Sequence, residues 1–421
     1  MHLRMYGYII CLDRISLGGR NFRSKERYGG TDMEIKKDKI GWGILGPGKI
    51  AHQFCDCLQE LPDAYVAAVG SRSLERSQAF ADMYGGKAYG SYEEMVNDPD
   101  VDIVYVATPH PMHEAHVTLA ANAGKAILCE KPFAVNRSQA ERMFEVAKKN
   151  DVFLMEGLWS RFFPAWQYVR EELDSGRFGR VDAVYCCTGW GGPRNNDHVD
   201  PDDRIHSPKL AGGALLDAGI YSLAAMSRIR GKFDKPVEMF STMDFEVTGV
   251  DGDNDMILKF EDGMVAHLSS SLHRRDMECK IICEKGHISI PVNRNPDKIV
   301  IKERAEWPRL TPEQEAKAKE RAEKYPAHTQ RDYYHSMDVL PISQRRMNGQ
   351  DTVTMEFPYR KSGFQFEAEV VQECYRAGLK TCPQVTPEET LLLISIADEM
   401  RKRANFVYPF ETIDDLKGLC D

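Results

Sequence analysis

Glu130-Lys131-Pro132 sets an ammonium between a carboxylate and a proline, and Asp217 stands four residues ahead of Tyr221. A tyrosine can take the proton from a carbinol hydroxyl or return one to a carbonyl oxygen. A free phenol titrates near pH ~10, so it needs help at neutral pH; a lysine beside it supplies a positive charge that favours the phenolate. Side chains four apart on a helix share a face, which lets Asp217 hold Lys131 or a substrate hydroxyl. Lys131, Asp217 and Tyr221 are therefore the candidate catalytic residues for moving a carbinol proton. The other half of such a reaction needs something to take the hydride.

Gly46-Pro47-Gly48-Lys49-Ile50-Ala51 provides a place for it. This GxGxxA spacing follows Ile40 to Leu45, which reads as a buried strand, and opens a helix from about Lys49 to Glu60. Gly46 permits the tight turn, Gly48 lets the backbone approach a pyrophosphate, and Ala51 keeps helix and strand close. The helix start at Lys49 and Ile50 offers free N–H groups to the phosphates. The second strand, Tyr65 to Val69, runs into Gly70-Ser71-Arg72-Ser73, with no acid before Glu75. A carboxylate there would hold the ribose 2′-hydroxyl of NAD and repel a 2′-phosphate, whereas Ser71 and Arg72 can bind that phosphate. The pattern favours NADP, with NAD the alternative if Arg72 only stacks on the adenine.

The elements that must position these groups alternate. Helices are predicted over Leu74–Tyr84, Pro111–Ala123 and Asn136–Asn150, with a short one opened by the capping box of Ser91 and Glu94. Strands are predicted over Asp102–Ala107, Ala126–Cys129 and Val152–Met155. That rhythm means βαβ crossovers and a parallel sheet, apolar throughout because helices cover both faces. After Val181–Cys187, another strand, comes a helix over Gly213–Arg230 and then strands joined by turns. Met256–Phe260 and Met264–Leu268 flank Asp262-Gly263 as a hairpin, and Lys285-Gly286 marks another. Two amphipathic helices follow, Phe364–Ala377 and Pro387–Ala404, the latter capped by Thr386 with Glu389. The expected fold class is α/β: an N-terminal Rossmann domain with a doubly wound parallel sheet (33–156), then an α+β domain with a large, mainly antiparallel sheet (157–421). Residues 1–32 are expected to be a disordered extension. Residues 303–350, where a helix from Thr311 is charged on nearly all faces, are expected to be a surface insertion.

Thr108-Pro109-His110-Pro111-Met112-His113, Glu130-Lys131-Pro132 and the run from Gly212 to Tyr221, with the glycine turn, together strongly resemble the Gfo/Idh/MocA family of glucose–fructose oxidoreductases, inositol dehydrogenases and their relatives. The resemblance spans roughly 40–300 and is weaker from Phe364 to Phe410. The run from Met155 to Pro164 looks most like the dimeric dihydrodiol dehydrogenase branch. The resemblance implies an oxidoreductase acting on a carbinol carbon of a sugar, polyol or trans-dihydrodiol. It implies that Lys131 lies beside the nicotinamide ribose, and that Thr108, Pro109, His113 and Glu130 line the cofactor. Tyr221 stands where many relatives carry histidine. Trp159, Arg161 and Phe162 are candidate walls of the nicotinamide pocket, and Trp159 and Arg161 are candidate substrate contacts there. Trp190, Arg194 and His206, in a Gly/Pro/Asp-rich loop, are candidate substrate contacts. A homodimer or homotetramer joined through the antiparallel sheets is implied too. Two alternatives stand beside this: an NAD-assisted glycosidase of the same fold, and a non-catalytic NADP-binding regulator. The presence of both Lys131 and Tyr221 favours catalysis.

The chain's 421 residues exceed one ordinary core, as two domains require. A net charge of −9 offers nothing to a polyanion, so nucleic acid is not an expected partner. Eleven scattered cysteines, with no CxxC pair and no zinc spacing, read as reduced thiols in the cytoplasm and as no metal site. No apolar run approaches the ~20 residues that cross a bilayer, so no membrane association is expected.

Overall fold

The computed structural model describes residues 37–193, 199–303 and 352–419, together with the single helical positions Ala316 and Glu320. The expected N-terminal extension, Arg194 and nearly all of the expected insertion lie outside the described residues.

Strands β1 (Ile40–Leu45), β2 (Ala64–Gly70), β3 (Lys87–Tyr89), β4 (Ile103–Val106), β5 (Ala126–Glu130) and β6 (Leu154–Gly157) form sheet A in the order β3-β2-β1-β4-β5-β6. All pairs are parallel. The order reverses between β1 and β4, which opens a crevice at the carboxyl ends of the strands. Helices α1 (Lys49–Leu58), α2 (Leu74–Tyr84), α3 (Tyr92–Val96), α4 (His113–Asn122) and α5 (Arg137–Lys149) alternate with them. Strands β1, β4, β5 and β6 are buried at every residue, as helices on both faces demand. Helices α2, α3 and α5 begin at Ser73, Ser91 and Asn136, each side chain accepting a backbone N–H of the first turn. Two details depart from expectation. The short strand β3 has too few residues to show a period. Strand β6 starts two residues later than predicted and ends with Glu156 and Gly157, which pair with Cys129 and Glu130.

After α6 (Pro164–Asp174) comes sheet B, with strands β7 (Val181–Gly189), β8 (Glu238–Phe245), β9 (Asp251–Lys259), β10 (Val265–Ser271), β11 (Cys279–Cys283), β12 (Gly286–Ile290), β13 (Lys298–Glu303) and β14 (Thr352–Glu356). Their order is β14-β13-β12-β11-β7-β10-β9-β8. Every pair is antiparallel except β7 with β10. Both expected hairpins are present, as β9–β10 and β11–β12.

The helix expected over Gly213–Arg230 is not uniform. Leu215–Gly219 is a π turn in which the Ile220 N–H reaches the Leu215 carbonyl, and α7 proper is Ile220–Arg230. Gly213 enters the turn at φ 115°, a left-handed conformation that excludes most side chains. The Asp251 carboxylate then accepts the Leu215 N–H at 2.6 Å. The segment Pro208–Arg230 also corrects one expectation, because its 23 residues are long and apolar enough to cross a membrane. Its most apolar stretch is 94% buried, since α7 packs between sheet B and helix α6.

Helices α8 (Gln365–Arg376) and α9 (Pro387–Arg403) return to sheet A's side, α8 against α1 and α9 against α5 and α7. An aromatic column follows the same path. Trp42 meets Phe54 at 5.2 Å, Phe54 meets Phe364 at 6.2 Å, Phe364 stacks on Trp159 at 4.5 Å, and Trp159 meets Tyr221 at 6.5 Å. Beneath it, Glu156 accepts the Thr390 hydroxyl of α9 at 2.8 Å and the Phe133 N–H at 3.3 Å.

Burial outweighs those bonds and pushes the Glu156 carboxyl up to about 7. Below its unfolded pKa near ~4.3 both states hold the proton; between that value and the folded one only the folded state does, so stability falls as pH rises. Glu156→Gln should flatten urea-unfolding stability between pH 4.5 and pH 7, removing a decline of about 3 kcal/mol at most.

Candidate active site

Lys131 follows β5 directly, at the crevice. Its Nζ donates to the Asp217 carbonyl oxygen at 2.8 Å and to the Asp217 carboxylate at 3.1 Å. The same ammonium lies 4.8 Å from the Tyr221 ring centroid. The three residues expected to do proton chemistry thus come together from opposite domains. Asp217 also accepts from Arg204 at 3.0 Å and from the Trp190 indole N–H at 2.9 Å. Burial disfavours its charge, but Lys131 and Arg204 hold the carboxyl far below the usual range. For Lys131, burial works towards the neutral amine; Asp217 and Tyr221 more than offset it and raise the pKa.

Tyr221 is buried, and its phenolic oxygen accepts the Trp159 indole N–H at 2.8 Å. Burial pushes the phenol above its ordinary value, with Lys131 and Arg294 pulling it back only in part. The resting group is a neutral phenol whose oxygen already receives one N–H and whose own proton remains to be given. Arg294, from the β12–β13 loop, places its guanidinium 5.7 Å from Trp159 and 5.1 Å from Trp190.

Behind this cluster the turns are tied down. His110 faces the Ala211 carbonyl through Nδ1 at 3.0 Å and receives Arg204 on Nε2 at 3.1 Å. Burial, then the Arg204 charge, keep its ring neutral, so the network assigns the proton to Nδ1. His113 has no room for a cofactor contact, which corrects that expectation. It is fully buried, with Nδ1 against the Pro132 and Phe133 carbonyls at 3.0 and 3.2 Å and Nε2 against the Thr108 carbonyl at 2.8 Å. It clasps the turn after β4 to the turn after β5. Glu130 likewise faces the interior rather than the crevice, accepting the Tyr105 hydroxyl and, at 3.1 Å, the Lys131 N–H. Glu367 of α8 is buried with neither carboxyl oxygen hydrogen-bonded; burial, then Glu130, push its pKa well up.

Arg161 is also corrected. Its guanidinium is taken up in a buried ion pair with Glu389 of α9. Phe162 is buried beside it. Trp159 and Trp190 belong to the cluster through their indole N–H groups. His206 is half-buried and makes no bond to the cluster; its Nδ1 meets no protein partner. Arg204, His110 and Arg294 were not singled out by the sequence as site residues, because loop residues carry no period and their partners lie far along the chain.

The glycine turn fits a dinucleotide. Gly46 has φ 95°, and a Cβ there would lie 2.7 Å from Thr108 Cγ2. Gly48 begins α1 in an extended conformation with no side-chain cap, and nothing lies within 4 Å of where its Cβ would be. Open space beside a helix N-terminus suits a diphosphate. Lys49 and Pro109 are exposed and Ile50 half-buried around it; Thr108 is buried, its hydroxyl paired with His116 at 2.8 Å. At the tip of β2, the Ser71 hydroxyl accepts the Ser73 N–H at 3.3 Å. Arg72 is exposed, with no ion pair among the described residues.

Residues 40–158 match the family profile described as oxidoreductase family, NAD-binding Rossmann fold, and residues 166–289 match the GFO/IDH/MocA C-terminal domain. The trans-1,2-dihydrobenzene-1,2-diol dehydrogenase of Mus musculus is 33% identical over 380 residues, covering 88% of this chain and 98% of that protein. The chain belongs to the Gfo/Idh/MocA oxidoreductase family. The Xenopus tropicalis dehydrogenase of the same name is 32% identical over 87% of the chain and 99% of its own length. Among solved members of this fold, an aldose-aldose oxidoreductase from Caulobacter crescentus, complexed with glycerol, superposes with a TM-score of 0.69 at 23% identity, over 87% of this chain and 98% of that one. A 3-ketoreductase from Actinomadura kijaniata, in complex with NADP and TDP-benzene, gives 0.67 at 22% identity, over 86% and 97%. This Gfo/Idh/MocA chain is accordingly an oxidoreductase with an NAD(P)-binding Rossmann domain.

The two glycines should separate folding from cofactor binding. Gly46→Ala forces a left-handed alanine against Thr108 and should cost about 1–2 kcal/mol in thermal or urea unfolding. Gly48→Ala meets neither strain nor contact, so stability should change by less than about 1 kcal/mol. Its methyl would fill the diphosphate's space, and titration with NADP should show affinity reduced by roughly tenfold or more, about 1.4 kcal/mol.

Proposed function

We propose that this protein is an NADP-dependent dehydrogenase that exchanges a hydride between nicotinamide and the carbinol carbon of a sugar, polyol or trans-dihydrodiol. The reading rests on one arrangement: the Lys131 ammonium, tethered to Asp217, lies over the Tyr221 ring at the carboxyl edge of sheet A. The names of its relatives, which act on dihydrodiols and aldoses, support that substrate class.

A bound dinucleotide supplies the hydride acceptor or donor at its nicotinamide. Gly48 and the start of α1 would hold the diphosphate. Ser71 and Arg72, with no carboxylate among them, suit a 2′-phosphate. In reduction the Tyr221 hydroxyl gives its proton to the substrate's carbonyl oxygen; in oxidation the same oxygen takes the carbinol proton. Lys131 stabilises the phenolate as it forms, and the Trp159 N–H bond to that oxygen strengthens with the charge. Asp217 keeps Lys131 charged and in place.

Assembly is proposed from the open face of sheet B. Tyr185, Phe240 and Ile257 are 48%, 64% and 40% exposed there, around a cavity of about 670 Å³. Such a face suits a second copy of the chain as a homodimer or part of a homotetramer. The cytoplasm is the proposed compartment, supported by the free thiols of Cys186 and Cys279 facing each other across β7 and β11.

The test is a panel of sugars, polyols and diols followed at the nicotinamide absorbance with NAD and NADP in parallel. Tyr221→Phe and Lys131→Met should each lower turnover by about 10²–10⁴-fold. Because the Tyr221 pKa is raised, oxidation should accelerate as pH climbs through the neutral and alkaline range, and Lys131→Met should move that rise to higher pH. Undiminished turnover by Lys131→Met would remove the assignment. Arg72→Ala should weaken NADP binding by roughly tenfold or more while changing NAD little, as loss of one charge-assisted contact predicts.

A further inference from the structure

Arg294 differs from the ion-paired arginines near the site. Arg161 pairs with Glu389, Arg204 with Asp217, and Arg401 with Glu411. Arg294 has no carboxylate partner among the described residues, and its Nε is buried without a hydrogen-bond acceptor. Its guanidinium nevertheless has a fixed place, over the faces of Trp159 and Trp190 at 5.7 and 5.1 Å. Those two indoles donate to Tyr221 and to Asp217, so Arg294 is held against the groups that move the proton. Its charge is also felt at Tyr221, where it favours the phenolate.

Lys131 and Arg204 both pair with Asp217, while Arg294, over Trp190 beside them, meets no carboxylate among the described residues. A neutral polyol leaves the Arg294 charge without a partner. We propose that Arg294 is a specificity residue that binds a carboxylate on the substrate, so that the preferred substrates are sugar acids or other carboxylated polyols. A planar guanidinium matches a planar carboxylate with two parallel hydrogen bonds. One such fork suits a monoanion better than a phosphate dianion. The inference rests on the dehydrogenase reading above and narrows its substrate.

Matched pairs test it: glucuronate against glucose and gluconate against glucitol, with glucose 6-phosphate as the phosphate arm. The wild-type protein should favour the carboxylated member by at least about tenfold in kcat/KM. Arg294→Met should raise KM for the carboxylated member roughly ten- to hundredfold more than for its neutral twin. Arg294→Lys, which keeps the charge without the fork, should fall between. Equal treatment of the pair by wild type, a larger gain from the phosphate, or an equal loss for both members in Arg294→Met would overturn the proposal. Tryptophan fluorescence of the NADP-loaded protein, titrated with glucuronate, reads binding without turnover: saturable quenching is expected, weakened in Arg294→Met. Quenching with no hydride transfer to any compound would sink the dehydrogenase reading and leave the carboxylate site standing. Turnover of neutral sugars with no carboxylate advantage would do the reverse. Absence of both would sink both. Should Arg294→Met fail to fold, the wild-type pairs and the fluorescence titration decide alone.

Discussion

The Lys131–Asp217 ion pair is the contact on which the remaining site geometry depends. Taking two charges out of water costs several kcal/mol each, and close pairing repays this only when their other hydrogen-bonding positions are filled. Here most are filled: Asp217 accepts from Lys131, Arg204 and Trp190, and two of the three Lys131 N–H groups find oxygens on one residue. The π turn at Leu215–Gly219 is part of the reason. In a regular α-helix the Asp217 carbonyl would be committed to the Tyr221 N–H. Here the turn is widened, and the Asp217 carbonyl accepts from Lys131. With its ammonium pinned, Lys131 has one position over the Tyr221 ring, and the crossing from sheet A to α7 is set by chemistry as well as by packing.

Much of this was legible in the residues. The glycine turn, the strand rhythm and the placement of Lys131 at a strand end and Tyr221 near a helix start were enough to bring the candidate catalytic groups together. Glu130 was misread for a reason also present in the sequence. Successive side chains at a strand end point to opposite faces, so a Lys131 that faces the crevice sends Glu130 inward to Tyr105. His113 was misread because adjacency to a motif says nothing about whether a ring nitrogen is free. Arg161 was misread because its partner, Glu389, lies 228 residues away and no local pattern announces it. Arg204 and Arg294 sit in loops, where neither period nor propensity constrains a side chain's direction.

The aromatic column from Trp42 to Tyr221 gives the site its rigidity. Phe364, stacked on Trp159, brings the start of α8 into the wall behind the tyrosine. Helix α9 closes the other side through Glu389 and Thr390, which meet Arg161 and Glu156. Residues from the last quarter of the chain are thus built into the support of groups that act near its middle. A pocket buttressed in this way keeps its donors aimed while a ligand enters, and less ordering is left for the moment of reaction.

His113, buried between two turns of sheet A, has one more implication. It anchors the turn that carries Lys131 from the rear, wholly within the Rossmann half, while Trp190, Arg204 and Arg294 reach the crevice from loops around sheet B. The rear anchor of Lys131 and the loops in front of it therefore come from separate scaffolds, while Asp217 and Tyr221 join the cluster from the sheet B half. Substitutions in the loops around sheet B leave the rear anchor of Lys131 untouched, since its contacts lie wholly within sheet A's turns.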